Sequence, residues 1–189
     1  FSFLLARDDV NRVKKAYLKT LERSNITGTT TYQLLHQMLT DKIWTCEARA
    51  LANDITSGGG RAYLEMFWKN PKYDPIGCLT NGDCTKGATC HASEMFYVLP
   101  QGRNVGIHGP KMEQEVEFSQ IYSDIFLSFV YGIEDTWARY DIKTQPATFY
   151  DESGPRVVPG YRKEQCDVLD SSMGRRLPEF MKRRAALLR

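Results

Sequence analysis

The sequence predicts a mixed α/β fold, and three observations carry that expectation. Amphipathic helical segments fill the chain before position 58, Gly58-Gly59-Gly60 stops them, and an aromatic, apolar run follows at once. Helix, glycine stop and covered strand is the usual order of an α/β domain. The chain has 189 residues, 42% hydrophobic and 25% charged, which is enough for one globular domain with its own core. Those fractions exclude a disordered tail, a collagen-like repeat and a disulfide-only miniprotein.

The first helix runs from Asp8-Asp9 through Val10, Val13, Tyr17 and Leu21, the three-and-four spacing of one face, and closes at Asn25/Gly28. A second spans about Thr30 or Tyr32 to Leu39. A third begins near Asp41 and carries Trp44, Ala48, Leu51, Ala52 and Ile55 as its apolar set. Arg61 to Trp68 reads as a strand covered on both faces, because it is rich in aromatic and apolar residues without clean alternation. Lys69 to Thr89, with two prolines and three glycines, is a loop too long for a plain connection unless it is stapled or functional.

Ser93 to Leu99 is a short apolar helix stopped by Pro100-Gln101-Gly102. Glu113 to Glu134 is the longest periodic segment, with Phe118, Ile121, Tyr122, Ile125 and Phe129 on one stripe that should pack on the sheet. Arg156-Val157-Val158 before Pro159 reads as a last short strand, and the chain is mostly helical from Tyr161. There is no internal repeat and no linker composition. Residues 1–170 form one domain portion on this reading, and 171–189 a basic C-terminal helix or tail.

The net charge is only +2, but it is uneven: from Gly174 onward six cations face Glu179 alone. A solvated helix face explains this tail better than nucleic acid, since only Phe180 interleaves with the cations. No apolar run approaches the roughly 20 residues of a membrane span, and Phe1 to Leu5 is too short and lacks the basic lead-in of a signal peptide. A first residue that is Phe rather than Met leads us to expect a chain that has lost its start.

Cys46, Cys78, Cys84, Cys90 and Cys166 show no Cys-x-x-Cys pair, and the one imidazole near them is the adjacent His91, so disulfides fit better than a structural zinc. Asn25-Ile26-Thr27 is an N-glycosylation sequon at a helix end. Together these features favour an oxidising, secretory compartment. Five is odd, so at least one thiol is left free or joined to another chain.

Of three histidines, His36 lies on a helix among Leu34, Leu35 and Met38, and His108 sits in a glycine-flanked loop. Packing and loop roles account for both. His91 follows a long loop after a strand and precedes a helix, at the sheet edge where α/β folds hold ligand chemistry. Its imidazole can serve as a general base near neutral pH.

Gly87-Ala88-Thr89-Cys90-His91-Ala92-Ser93-Glu94-Met95-Phe96-Tyr97-Val98 resembles the segment around the catalytic histidine of the type-B carboxylesterase and cholinesterase family. Thr40 to Arg49 looks like the family's helix before the penultimate core strand, Arg61 to Trp68 looks like that strand, and Phe118 to Phe129 looks like its long closing helix. The likeness spans about Asp8 to Asp170. It departs from the pattern in the cysteine-rich insert Gly77 to Cys90, in the basic tail, and in Ala92, which stands where many relatives have glycine.

The resemblance implies the C-terminal part of an α/β-hydrolase fold, its last core strands with packing helices, incomplete without an N-terminal portion. It implies His91 as the histidine of a serine–acid–histidine triad, Glu94 as a supporting carboxylate, and a disulfide between Cys46 and Cys166. Cys78, Cys84 and Cys90 leave the pairing of a further disulfide open. There is no Gly-x-Ser-x-Gly in the chain, so the serine and the acid are expected on a portion preceding Phe1. Asp8 and Asp41 do not match the acid's motif. Ser93 is badly aimed for a nucleophile so close to His91, and Cys90 suits a disulfide better than a thiolate role.

The expected function is therefore a C-terminal fragment or chain of a secreted serine carboxylester hydrolase, with a carboxylic ester as substrate and the N-terminal portion of the fold as partner. The chain alone should be inactive. No cofactor or metal is expected, because acyl transfer by a triad needs none; the net charge of +2 argues against a nucleic-acid surface, and no apolar run is long enough for a membrane span. The competing expectation is a cholinesterase-like domain that has lost its nucleophile and serves in adhesion or as a structural component.

Overall fold

A computed structural model describes residues 7–23, 31–71, 89–99, 110–133 and 137–173. Asn25, Cys78, Cys84, His108 and the basic tail lie outside these residues. The chain divides into two compact units, Phe1–Asp54 with Tyr161–Arg189, and Ile55–Gly160.

In the first unit, α1 spans Arg7–Arg23, α2 Thr31–Thr40 and α3 Cys46–Ser57, and α6 spans Lys163–Met173. α1 keeps its expected face: Val13 and Tyr17 are buried with Cys46, Cys166 and Leu169, and Val10, Leu34, Met38 and Val168 pack around them. Where the sequence suggests a break between the second and third helices there is none. A π-helical turn, Asp41–Thr45, joins α2 to α3, and no glycine or proline lies between Thr31 and Ser57 to interrupt the rod.

The wider turn carries Asp41 to a fully buried position. There Tyr17 donates its hydroxyl to Oδ2 at 2.8 Å, Gln37 Nε2 donates to Oδ1 at 3.0 Å, and the Arg162 guanidinium stands 3.7 Å away. Burial raises the Asp41 carboxyl above its ordinary range, against the opposing pull of Arg162, Tyr17 and Gln37.

The apolar set expected to be the inner face of α3 is largely outside it. Trp44 and Leu51 are 55% and 61% exposed, whereas Cys46, Arg49, Ala50 and Ala52 face inward. One disulfide and one arginine tie this face to α6. Cys46 is joined to Cys166 with Cα atoms 5.2 Å apart, and Arg49 pairs with Asp167 at 2.9 Å and Asp170 at 3.1 Å while donating to the Lys163 carbonyl. A forked guanidinium can meet several acceptors at once, which outweighs the burial of Leu51 or Trp44.

The second unit holds a three-stranded mixed sheet in the order β1 (Glu65–Phe67), β2 (Pro146–Asp151), β3 (Gly154–Pro159). β1 runs parallel to β2, with Glu65, Met66 and Phe67 opposite Thr148, Phe149 and Tyr150, and β2 pairs antiparallel with β3. The parallel step needs a crossover, and α4 (Met95–Val98) and α5 (Pro110–Val130) lie within it. β1 is shorter than the expected strand and only half-buried, so the strand covered on both faces is β2, whose first five residues are all buried.

α5 begins at its proline, a residue suited to a first helical position. Phe118, Tyr122 and Ile125 join Phe67, Tyr97 and Tyr150 in one aromatic cluster. Ile121, expected on the same stripe, is 53% exposed. Phe129 is stacked on Trp137 at 4.4 Å. No helix among the described residues is long and apolar enough to cross a membrane.

Candidate functional site

The site forms in the second unit where the chain leaves β1. Trp68 continues the strand pairing by donating its amide to the Tyr150 carbonyl at 2.7 Å, and Lys69 then turns inward. The Lys69 ammonium is 3% exposed and meets Glu115 of α5 at 2.8 Å and Glu152 of the β2–β3 turn at 3.2 Å. Glu115, 1% exposed, also accepts the Tyr97 hydroxyl at 3.2 Å, and the Phe118 ring lies 5.0 Å from the ammonium. Each buried charge thus has an opposite charge and a further polar or aromatic partner, the condition under which burial of ions is tolerated.

The Lys69 carbonyl accepts the Thr89 hydroxyl at 3.0 Å. This bond brings the end of the long segment back to its beginning, so Cys90 and His91 stand just beyond the carboxyl end of β1. Cys90 is disulfide-bonded, its partner lying outside the described residues. His91 is exposed. Ser93 is fully buried and donates its hydroxyl to the Cys90 carbonyl at 2.6 Å. It closes the turn from inside and is not directed at His91 as a nucleophile would be.

Ala92 takes a φ of +66°, the left-handed region that a Cβ disfavours. The turn bends so sharply that His91 faces solvent while Ser93, two residues on, faces the core. Ala92→Gly should therefore raise the stability of the second unit by about 1 kcal/mol. Urea midpoints at constant slope would measure it; an unchanged or lowered midpoint would show that the turn carries no strain.

Glu94 leads into α4, whose carbonyls are held by α5. Ser119 donates to the Tyr97 carbonyl and Ser123 to that of Val98, each at 3.0 Å. The same α5 face carries Tyr122, which donates its hydroxyl to Glu65 Oε1 at 2.7 Å. Burial pushes the Glu65 carboxyl up to about 7; the Tyr122 hydrogen bond works against that rise, and the nearby Glu94 carboxylate adds to it. Burial, then the Glu65 and Glu94 charges, raise the Tyr122 phenol as well.

The turn before α4 thus carries an exposed imidazole and the Glu94 carboxyl, while β1 and α5 pair the Glu65 carboxyl with the Tyr122 phenol. Sequence reasoning reaches His91 and Glu94 but misses Glu65 and Tyr122. The available signal was an acid inside an otherwise aromatic strand. No group of histidines, cysteines and carboxylates among the described residues could hold a metal ion. His36, read from sequence as a helix histidine with no role in the chemistry, is exposed on α2 and lies 4.2 Å ring to ring from Tyr32.

No family model matches the chain, and no curated protein matches it in sequence.

Proposed function

We propose that the chain is the C-terminal portion of a serine carboxylester hydrolase of the cholinesterase-like kind, acting in the secretory pathway or outside the cell, and that His91 is its general base. A serine on a preceding portion of the fold attacks the ester carbonyl, His91 takes the serine proton, and backbone amides hold the oxyanion. An acid from that same portion fixes the imidazole tautomer, and Glu94 steadies the turn on which the imidazole stands. His91 then returns its proton to the leaving alcohol, and water repeats the cycle on the acyl-enzyme.

The observation that carries this reading is the bond from Thr89 to the Lys69 carbonyl, which puts an exposed histidine at the carboxyl end of a parallel strand. Ligand chemistry in open α/β sheets gathers at that end. Two further features support it. Cys46 and Cys166 are joined, as the resemblance implies, and buried disulfides suit an oxidising compartment. The left-handed turn at Ala92 is one that glycine, common there among the family, would adopt freely.

A fluorophosphonate label on natively purified protein, resolved on reducing and non-reducing gels with intact mass read on each band, tests the reading. We expect label on a serine of a preceding portion joined to or associated with this chain. Absence of label on the complete assembly would overturn it in favour of a catalytically inactive domain used for adhesion or structure.

A further inference from the structure

Glu115 is a buried carboxylate that the triad does not use, and one of its oxygens holds the chain on both sides of His91. Oε2 meets the Lys69 ammonium at 2.8 Å and accepts the Tyr97 hydroxyl at 3.2 Å. Lys69 stands where the chain leaves β1, before His91, and Tyr97 stands on α4, after it. Glu152 at 3.2 Å and the Phe118 ring at 5.0 Å complete the surroundings of the ammonium. All three side chains of the clasp are buried, so the contacts act in a medium of low dielectric.

From each side a short path leads to the imidazole. The Trp68 amide is bonded to the Tyr150 carbonyl and the Lys69 side chain is fixed at its ammonium, so the Lys69 carbonyl keeps one direction and accepts the Thr89 hydroxyl at 3.0 Å, two residues before His91. On the other side the Tyr97 amide donates to the Glu94 carbonyl at 2.9 Å, and the Ser93 hydroxyl to the Cys90 carbonyl at 2.6 Å, which ties α4 to the turn. Ser119 of α5 donates to the Tyr97 carbonyl at 3.0 Å, so α5 grips Tyr97 at its hydroxyl and at its backbone. Apolar side chains of similar volume would fill the space of the ion pair with little or no loss of stability. They would not fix where the Lys69 carbonyl points.

We propose that Glu115 is a positioning residue for His91: its carboxylate clasps Lys69 and Tyr97, and through the Lys69 carbonyl on one side and α4 on the other it fixes the backbone from which the imidazole projects. The role in turnover rests on the esterase reading; the hold on the His91 turn does not. A general base works only within hydrogen-bond reach of its proton, and a misplacement of about 1 Å costs about 100-fold in rate. Release of either side of the clasp should therefore show in the chemistry at His91 more than in stability.

The experiment compares the complete assembly with its variants by fluorophosphonate labelling rate and by the imidazole NMR signals of protein isotopically labelled at histidine, with His91→Ala identifying the His91 signal. Glu115→Gln keeps the shape and removes the charge, Tyr97→Phe and Thr89→Val each remove one hydroxyl, and Thr89→Ser keeps it. The first three should label about 10- to 100-fold more slowly than the parent and give a shifted or split His91 signal, while Thr89→Ser restores both. Should Glu115→Gln fail to fold, Tyr97→Phe and Thr89→Val carry the test, since each leaves the ion pair in place. Parental rates with a parental His91 signal in the folded variants would overturn the proposal, as would equal slowing in Thr89→Ser and Thr89→Val. Absence of label in the parent would overturn the esterase reading instead, and the His91 signal would still decide the clasp.

Discussion

On the proposed esterase reading, replacing His91 by alanine should lower kcat for a simple ester by about 10⁴-fold or more, with KM changed far less. The size follows from what the base does. Without it the serine keeps its proton, and only oxyanion stabilisation and substrate binding remain to speed the reaction. The substitution should leave folding nearly intact, because His91 is exposed while the turn around it is held by the Ser93 hydroxyl, the Thr89 hydroxyl and the Cys90 disulfide. A melting temperature within a degree or two of the parent, with activity gone, would separate loss of chemistry from loss of structure. Full activity in His91→Ala would remove His91 from the mechanism. Glu94→Gln provides the graded comparison: a supporting carboxylate should cost about 10- to 100-fold.

How far the sequence discloses this architecture depends on the distance over which each feature is encoded. Local periodicity is enough for α1, whose Val13 and Tyr17 are buried, and for α5, whose Phe118 and Tyr122 form the inner cluster. Periodicity misleads in α3, because Leu51 and Ile55 look like a core stripe until the ion pairs of Arg49 with two aspartates on α6 are known. β2 is covered on both faces and so has no alternation to reveal it. Its Thr-Phe-Tyr core followed by Asp-Glu-Ser-Gly still reads, in hindsight, as a strand entering a hairpin.

The candidate site divides along the same line. His91 and Glu94 sit within one turn and are legible together. Glu65 and Tyr122 are 57 positions apart, and Lys69 meets Glu115 only because the crossover folds α5 back over the end of β1. No local rule pairs such residues. A lysine in a loop and a glutamate on a helix are ordinarily solvated, and here topology alone makes them the buried anchor of the segment that delivers His91. The π turn is likewise unmarked in sequence. Asp41 reads as a helix-starting acid, and only the partners supplied by Tyr17, Gln37 and Arg162 make its burial tolerable.

Removing the Cys46–Cys166 bond should cost about 4 to 5 kcal/mol, the largest stability loss expected from any covalent change in the described structure. The two cysteines are 120 positions apart, so the bond forbids a very large set of open conformations to the unfolded chain, and chain-entropy reasoning gives the upper end of the disulfide range. Both sulfurs lie in the cluster of Val13, Tyr17 and Leu169, so Cys46→Ala with Cys166→Ala keeps the site apolar and tests the covalent constraint with little added cavity cost. Every residue of the Ile55–Gly160 unit lies between the two cysteines in sequence. Its own contacts, those of Lys69 with Glu115 and Tyr122 with Glu65, do not depend on the bond. Hydrogen exchange should then show lost protection first in α1 and α6, while α5 and β2 keep theirs. Uniform loss across both units would mean that the bond stabilises them as one cooperative structure. No loss in α1 and α6 would mean that the Arg49 ion pairs and the Val13–Leu169 packing suffice to hold the first unit without it.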